Sequence, residues 1–238
     1  VNHAPTTSGI ADVTVDEDAS DSPLDLWTSF ADSDESDSTL TYSIQTNTNA
    51  ALFTSAAITG NRNFVLYFAP NGFGTADITI RATDSGGLFV ETTFTVTVNA
   101  VNDNPTTSGI APVTVNEDAA DAIIDLYPSF ADVEDTDAQM NYTVTTNTNA
   151  ALFTSVGIVG QNLVLNYAPN ANGTAQITIR ATDTATGFIE TTFTVTVNPI
   201  NDTPTDIALT NNNVDENLAI GTLVGTFSTT DFDTGDTF

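Results

Sequence analysis

The sequence predicts an all-β chain of tandem two-sheet sandwiches, and three observations predict it. The chain repeats itself at a period of 99 to 100 residues. Short runs of alternating apolar and polar residues fill each period, and Gly-, Pro- and Asn-rich breakers separate the runs.

The repeat is read by self-comparison. Thr6 to Ala11 recurs as Thr106 to Ala111, Asn47 to Ser55 as Asn147 to Ser155, Ile78 to Asp84 as Ile177 to Asp183, and Glu91 to Asn99 as Glu190 to Asn198. The organisation expected is one unit over residues 1–101, a second over 102–200, and the opening of a third over 201–238. The last holds only the first strands of a unit, too few to close a core.

Within a unit, Val13 and Val15 mark an early strand, followed by Leu40-Thr41-Tyr42-Ser43-Ile44 and a run around Val65 and Tyr67. Ile78-Thr79-Ile80-Arg81-Ala82 and Phe94-Thr95-Val96-Thr97-Val98 alternate with the period of two that puts successive side chains on opposite faces. Pro70-Asn71-Gly72, Ser85-Gly86-Gly87 and Asn102-Asp103-Asn104-Pro105 break the runs. About seven short strands per hundred residues, rich in Thr, Val and Phe, describe an immunoglobulin-like sandwich. No segment carries a capped helical period.

Charge narrows the function. Asp and Glu number 31 against three basic residues, Arg62, Arg81 and Arg180, for a net charge of -28. Nucleic-acid binding needs basic residues to displace phosphate counterions and is excluded, as is docking on anionic lipid. No apolar run is long enough to span a membrane. With no cysteine there are neither disulfides nor thiolate metal sites. A chain this acidic gathers cations, repels itself, or lives in high salt.

The acids fall in a pattern. Asp84 continues the core phase of Ile78, Ile80 and Ala82, so it stands where its strand leaves the core; Asp183 is its copy. Glu17 continues the phase of Val13 and Val15, with Glu117 and Glu216 as copies. Asp32 and Asp34 follow Phe30, and their copies are Asp132 with Glu134 and Asp231 with Asp233. Linkers Asn102-Asp103-Asn104-Pro105 and Asn201-Asp202-Thr203-Pro204 join successive units, each stiffened by its proline.

These motifs resemble those of cadherin repeats, and the unit is similar to the bacterial cadherin-like tandem repeats of large surface adhesins of the RTX type. Asn102-Asp103-Asn104-Pro105 is similar to the cadherin linker and Val15-Asp16-Glu17-Asp18 to its early glutamate motif. Ala31-Asp32-Ser33-Asp34 resembles its paired-aspartate motif, and Ala82-Thr83-Asp84 its later aspartate motif. The resemblance implies Ca²⁺ at the joints between units. One joint would take Glu17, Asn102, Asp103, Asn104, Asp132, Glu134 and Asp183; the next would take Glu117, Asn201, Asp202, Asp231 and Asp233. A joint ahead of the first unit would keep Asn2, Asp32, Asp34 and Asp84. All these ligands offer oxygen, as Ca²⁺ prefers. Departures from the family pattern are a mid-domain glutamate motif replaced by Pro70-Asn71-Gly72, Ala100 opening the linker, His3, and Thr203. They imply fewer ions per joint, one or two.

The function expected is that of a non-enzymatic extender or adhesion repeat of an extracellular or cell-surface protein. Its partners would be neighbouring repeats of the same chain. A second expectation is a self-assembling filament completed by strand addition between copies, and a third is a carbohydrate-binding module using Trp27. Catalysis is disfavoured because the acids recur with the repeat and the one histidine, His3, has no copy. Threonines 93, 95 and 97 share an outward face, and Asn141, Asn172 and Asn201 open glycosylation sequons, so glycans are a further candidate partner.

Overall fold

β-branched and aromatic side chains fit a pleated, half-buried surface, and the runs rich in them form the strands of this chain. The computed structural model describes residues 1–231 and 233, so the end of the segment 201–238 lies outside the described residues. The chain divides into two compact units, Val1–Asp103 and Asn104–Phe238.

In the first unit the strands are β1 (Thr6–Thr7), β2 (Val13–Asp16), β3 (Ser22–Asp25), β4 (Phe30–Ala31) and β5 (Thr41–Asn47). They continue with β6 (Phe53–Thr59), β7 (Asn63–Phe68), β8 (Gly74–Thr83) and β9 (Phe89–Asn99). Seven of them build the sandwich: one sheet has the order β2-β9-β8-β5, the other β3-β7-β6. The two-residue strands β1 and β4 pair separately. Gly9, at φ 87°, sits where the chain turns from the pairing of β1 to that of β2. That left-handed backbone costs glycine nothing.

The second unit repeats this plan. Strands β10 (Thr106–Thr107), β11 (Val113–Asn116), β12 (Ala122–Asp125), β13 (Phe130–Ala131) and β14 (Asn141–Asn147) come first. Then follow β15 (Phe153–Val159), β16 (Asn162–Tyr167), β17 (Gly173–Thr182) and β18 (Phe188–Asn198). Its sheets have the orders β11-β18-β17-β14 and β12-β16-β15. Beyond them, β19 (Asp206–Leu209) and β20 (Phe227–Thr230) form a two-stranded ladder. The only helical turns among the described residues are short 3₁₀ segments such as Leu26–Thr28 and Ala50–Leu52.

Each sandwich closes over its own core. Phe30, Phe64, Phe94, Leu26, Leu66, Ile78 and Ile80 are buried in the first unit, with Phe64 and Phe94 in an edge-to-face contact at 6.1 Å. The alternation expected of Ile78 to Ala82 is present, Ala76, Ile78, Ile80 and Ala82 facing inward. In β7 only one face is the inward one. Phe64, Leu66 and Phe68 are buried, whereas Val65 and Tyr67 lie on the half-covered outer face. The run is apolar on both faces, so periodicity could not choose between them.

The pairing of β2 with β9 is parallel, Val15 opposite Val98 and Asp16 opposite Asn99. The first long strand and the last therefore leave the sandwich at one pole. β8 runs antiparallel to β9, Thr83 opposite Phe89, and so ends at the other pole. The same holds for β11, β17 and β18. Each unit thus has an entry pole and an exit pole, set by strand direction.

Candidate metal centre

At the exit pole of the first unit, the Glu17 backbone N–H donates to Asn99 O at 2.9 Å, extending the parallel ladder by one residue. The side chain, 6% exposed, turns back over the pole, and its Oε1 accepts from Val101 N at 2.5 Å. Its other oxygen, Oε2, is buried with no hydrogen-bond partner. Asp18 follows at φ 58°, a left-handed conformation that Asp tolerates better than most residues. That turn lets Asp18 Oδ1 accept from Asn71 N at 3.2 Å, while Asn71 Nδ2 donates to Asp103 Oδ2 at 2.9 Å. Carboxylate oxygens of Glu17 and Asp103 lie within 4.8 Å of one another, and Asn102 Nδ2 donates to Asp103 O at 2.9 Å.

At its entry pole stand Asn2, Asp32, Asp34 and Asp84. Asp84, 5% exposed, accepts from Leu88 N on Oδ1 at 2.8 Å and from Asn2 Nδ2 on Oδ2 at 2.9 Å. Asp32 Oδ1 accepts from the N–H groups of Asp34 at 2.7 Å and Glu35 at 3.1 Å, leaving Oδ2 buried without a partner. Asp34 Oδ2 accepts from His3 N at 2.7 Å and faces His3 Nδ1 at 2.8 Å. These bonds, the backbone one first, hold the Asp34 carboxyl below the ordinary aspartate range. A side chain on Gly86 would strike Asn2 Nδ2 at 2.5 Å, so glycine lets the turn close on the asparagine.

The second unit's entry pole repeats the arrangement. Asp132 Oδ1 accepts from Glu134 N at 3.0 Å and Asp135 N at 2.9 Å, while Oδ2 is buried and unpartnered. Asp183, 6% exposed, accepts from Gly187 N on Oδ1 at 2.7 Å. A Cβ on Gly187 would collide with Asn104 Oδ1 and Asp183 Oδ2, which places both oxygens over that glycine.

Its exit pole gathers several carboxylates. Glu117, 5% exposed, accepts from Ile200 N on Oε1 at 2.5 Å and from Asn172 Nδ2 on Oε2 at 3.2 Å. Asp202 N donates to Asp233 Oδ2 at 2.5 Å, and Asp233 N to Asp231 Oδ1 at 3.0 Å. Asp202 Oδ2 and Asp231 Oδ2 are buried without partners. Asn201 turns its amide to the linker, Nδ2 donating to Asp202 O at 2.8 Å. Oxygens of Glu117, Asp202 and Asp233 lie within 4.8 Å of one another. Like charges this close repel one another. Burial, then the carboxylates of Asp233, Asp118, Glu117 and Asp231, push the Asp202 carboxyl above its ordinary range. Glu216, the third copy of Glu17 and Glu117, is exposed, since residues 213–216 lie in no strand.

Strand direction and the linkers therefore bring the sequence-predicted acids to the poles of each unit. Three groups were not legible. Asp18 and Asp118 brace the neighbouring loop, Asp118 Oδ1 accepting from Asn170 N at 3.0 Å. Asn71 and Asn172 deliver amides to the acids from the loop between β7 and β8 and its copy. Glu35 and Asp135 face the turn after β8 and β17, respectively. The Pro70-Asn71-Gly72 turn was a visible signal but reads as an ordinary breaker.

Other sequence candidates play simpler parts. Trp27 donates from Nε1 to Asn61 O at 3.1 Å and lies under Arg62, which pairs with Asp25. Arg81 and Arg180 point outward and pair with Glu91 and Glu190. Thr79 and Thr93 bond to each other at 2.8 Å on the outer face.

Fold and poles define a class: tandem, cadherin-like β-sandwiches of the immunoglobulin kind, all-β throughout the described residues. The chain is similar to extracellular cadherin domains 1–4 of protocadherin gamma B7, with a TM-score of 0.51 and 20% identity over 98% of its length. It is similar to extracellular cadherin domains 1–5 of protocadherin gamma B2 (TM-score 0.54, 17% identity, 98% of its length). The extracellular domain of protocadherin gamma B4 gives a TM-score of 0.55 and 16% identity over 98%. The chain spans 60%, 48% and 39% of those three structures. No protein-family model and no curated protein matches the sequence. No helix among the described residues is long and apolar enough to cross a membrane.

Proposed function

We propose that this chain is a structural extender or adhesion segment of an extracellular protein, made of cadherin-like repeats that Ca²⁺ stiffens where one repeat meets the next. The repeats run over 1–101 and 102–200, with a third opening over 201–238. Glu17, Asn102 and Asp103 with Asn104, Asp132, Glu134 and Asp183 serve one joint. Glu117, Asn201, Asp202, Asp231 and Asp233 serve the next, and Asn2, Asp32, Asp34 and Asp84 precede the first repeat. Bacterial surface adhesins of the RTX type are the setting its residues resemble.

One observation carries this reading. Glu17 Oε2, Asp32 Oδ2, Asp132 Oδ2, Asp202 Oδ2 and Asp231 Oδ2 are all buried without a hydrogen-bond partner. Buried polar atoms are nearly always satisfied, and an exception calls for an ion or a water. In Glu17, Asp32, Asp132 and Asp231 the companion oxygen accepts backbone N–H groups. One oxygen is thus held by the fold while the other is left buried and without a partner. An all-oxygen, carboxylate-rich donor set suits a hard cation that takes six to eight oxygens. Calorimetric titration with CaCl₂ tests it: heat of binding on the intact chain is expected, and its absence removes the reading.

A filament completed by strand addition is a second reading, favoured by Ile207 and Phe227, each 75% exposed on the two-stranded β19–β20 ladder. Electron microscopy of the purified chain separates them, isolated particles supporting the extender and continuous fibres the filament.

A further inference from the structure

Two acids touch the poles without belonging to any ligand set. Asp135 is 9% exposed. Its Oδ2 accepts from Thr184 N at 2.7 Å and its Oδ1 from Thr184 Oγ1 at 3.1 Å, with Gln139 Nε2 at 3.4 Å from the same Oδ1. Its own N–H donates to Asp132 Oδ1 at 2.9 Å. In the first unit Glu35 repeats each part. Both its oxygens accept from Ser85 N at 3.3 Å, Ser85 Oγ donates to its Oε1, and its N–H donates to Asp32 Oδ1 at 3.1 Å.

The consequence is geometric. Asp132 and Glu134 ride on the loop after β13, whereas Asp183 rides on the turn after β17. Those segments are about 50 residues apart, |i−j| being 49 for the Asp135–Thr184 bond. The Asp135 carboxylate bridges them one residue beyond each ligand: its backbone fixes Asp132, and its side chain fixes the residue after Asp183. The longer acid meets the smaller hydroxyl in one unit, Glu35 with Ser85, and the shorter acid the larger in the other, Asp135 with Thr184. Either pairing spans the gap.

Resting on the cation reading above, we propose that Glu35 and Asp135 are positioning residues. Each clamps the paired-acid loop to the later-aspartate turn, so that the ligand oxygens stand in place before a cation arrives. Their charge is consumed by hydrogen bonds to the fold, which separates them from Glu17, Asp32, Asp132 and Asp231, each of which keeps one buried oxygen without a hydrogen-bond partner. Partners of this outer kind set metal affinity by 10–100-fold when removed.

The test is CaCl₂ titration of the intact chain by calorimetry, with folding followed by circular dichroism. Glu35→Ala with Asp135→Ala is expected to raise the calcium midpoint by about tenfold or more. Exchanging the pairs, Glu35→Asp with Ser85→Thr and Asp135→Glu with Thr184→Ser, is expected to restore the wild-type midpoint. If the alanine variant does not fold, Ser85→Ala with Thr184→Val carries the test. It removes one hydrogen bond per clamp and is expected to raise the midpoint about fivefold. A folded alanine variant with an unchanged midpoint, or exchanged pairs as weak as the alanines, overturns the clamp while leaving the cation reading standing. A wild-type chain that takes up no calcium overturns both.

Discussion

The Glu117 carboxylate accepts the backbone N–H of Ile200 at 2.5 Å, joining residues 83 apart in sequence. One follows the unit's first long strand, the other its last, and the parallel pairing of β11 with β18 brings them to one pole. Glu117→Gln keeps an acceptor for Ile200 but removes the charge. The calcium-free variant should melt at or above the wild-type temperature, because the repulsion from the neighbouring carboxylates is relieved. Its calcium affinity should fall at least tenfold, read by calorimetry beside a thermal melt.

Two pole carboxyls, Asp202 and Asp34, are shifted in opposite directions. Asp202 is raised, by burial first and then by its acidic neighbours. Its contribution to stability is therefore fully present below the unfolded aspartate value and lost as pH rises through its folded value. Asp34 is lowered by His3, so its contribution is present above the unfolded value and lost as pH falls through the folded one. Carboxyl-carbon NMR of the calcium-free chain should place Asp202 above Asp34. The reverse order would contradict the pole geometry.

Core truncation should report unit by unit. Phe94 is 2% exposed and packs edge-to-face on Phe64. Phe94→Ala is expected to cost the first unit about 3–5 kcal/mol. Calorimetric melting should show one transition lowered and another unmoved, since the two cores have no buried residue in common.

Much of this was legible before any coordinates. The period gave the repeated strand plan, and alternation gave β8 and β9 with their inward faces. Continuing the core phase past Ala82 put Asp84 at a strand end, where it is buried and held. In β7 alternation failed because Phe64, Val65, Leu66, Tyr67 and Phe68 are apolar on both faces. Asn71, Asn172 and the clamp acids were illegible for another reason. Their partners lie across loop contacts spanning 32 to 55 residues, which no local pattern encodes. A lone Asn in a Pro-Asn-Gly turn, or a Glu in an acidic loop, reads as surface.

Calcium uptake by the intact chain decides whether its poles hold cations. Saturable binding by calorimetry is expected, with a dissociation constant on the order of 10⁻⁴–10⁻³ M, as for extracellular modules. A shorter end-to-end distance in small-angle scattering is expected once a chelator is added. A flat titration with identical scattering in calcium and chelator would contradict both.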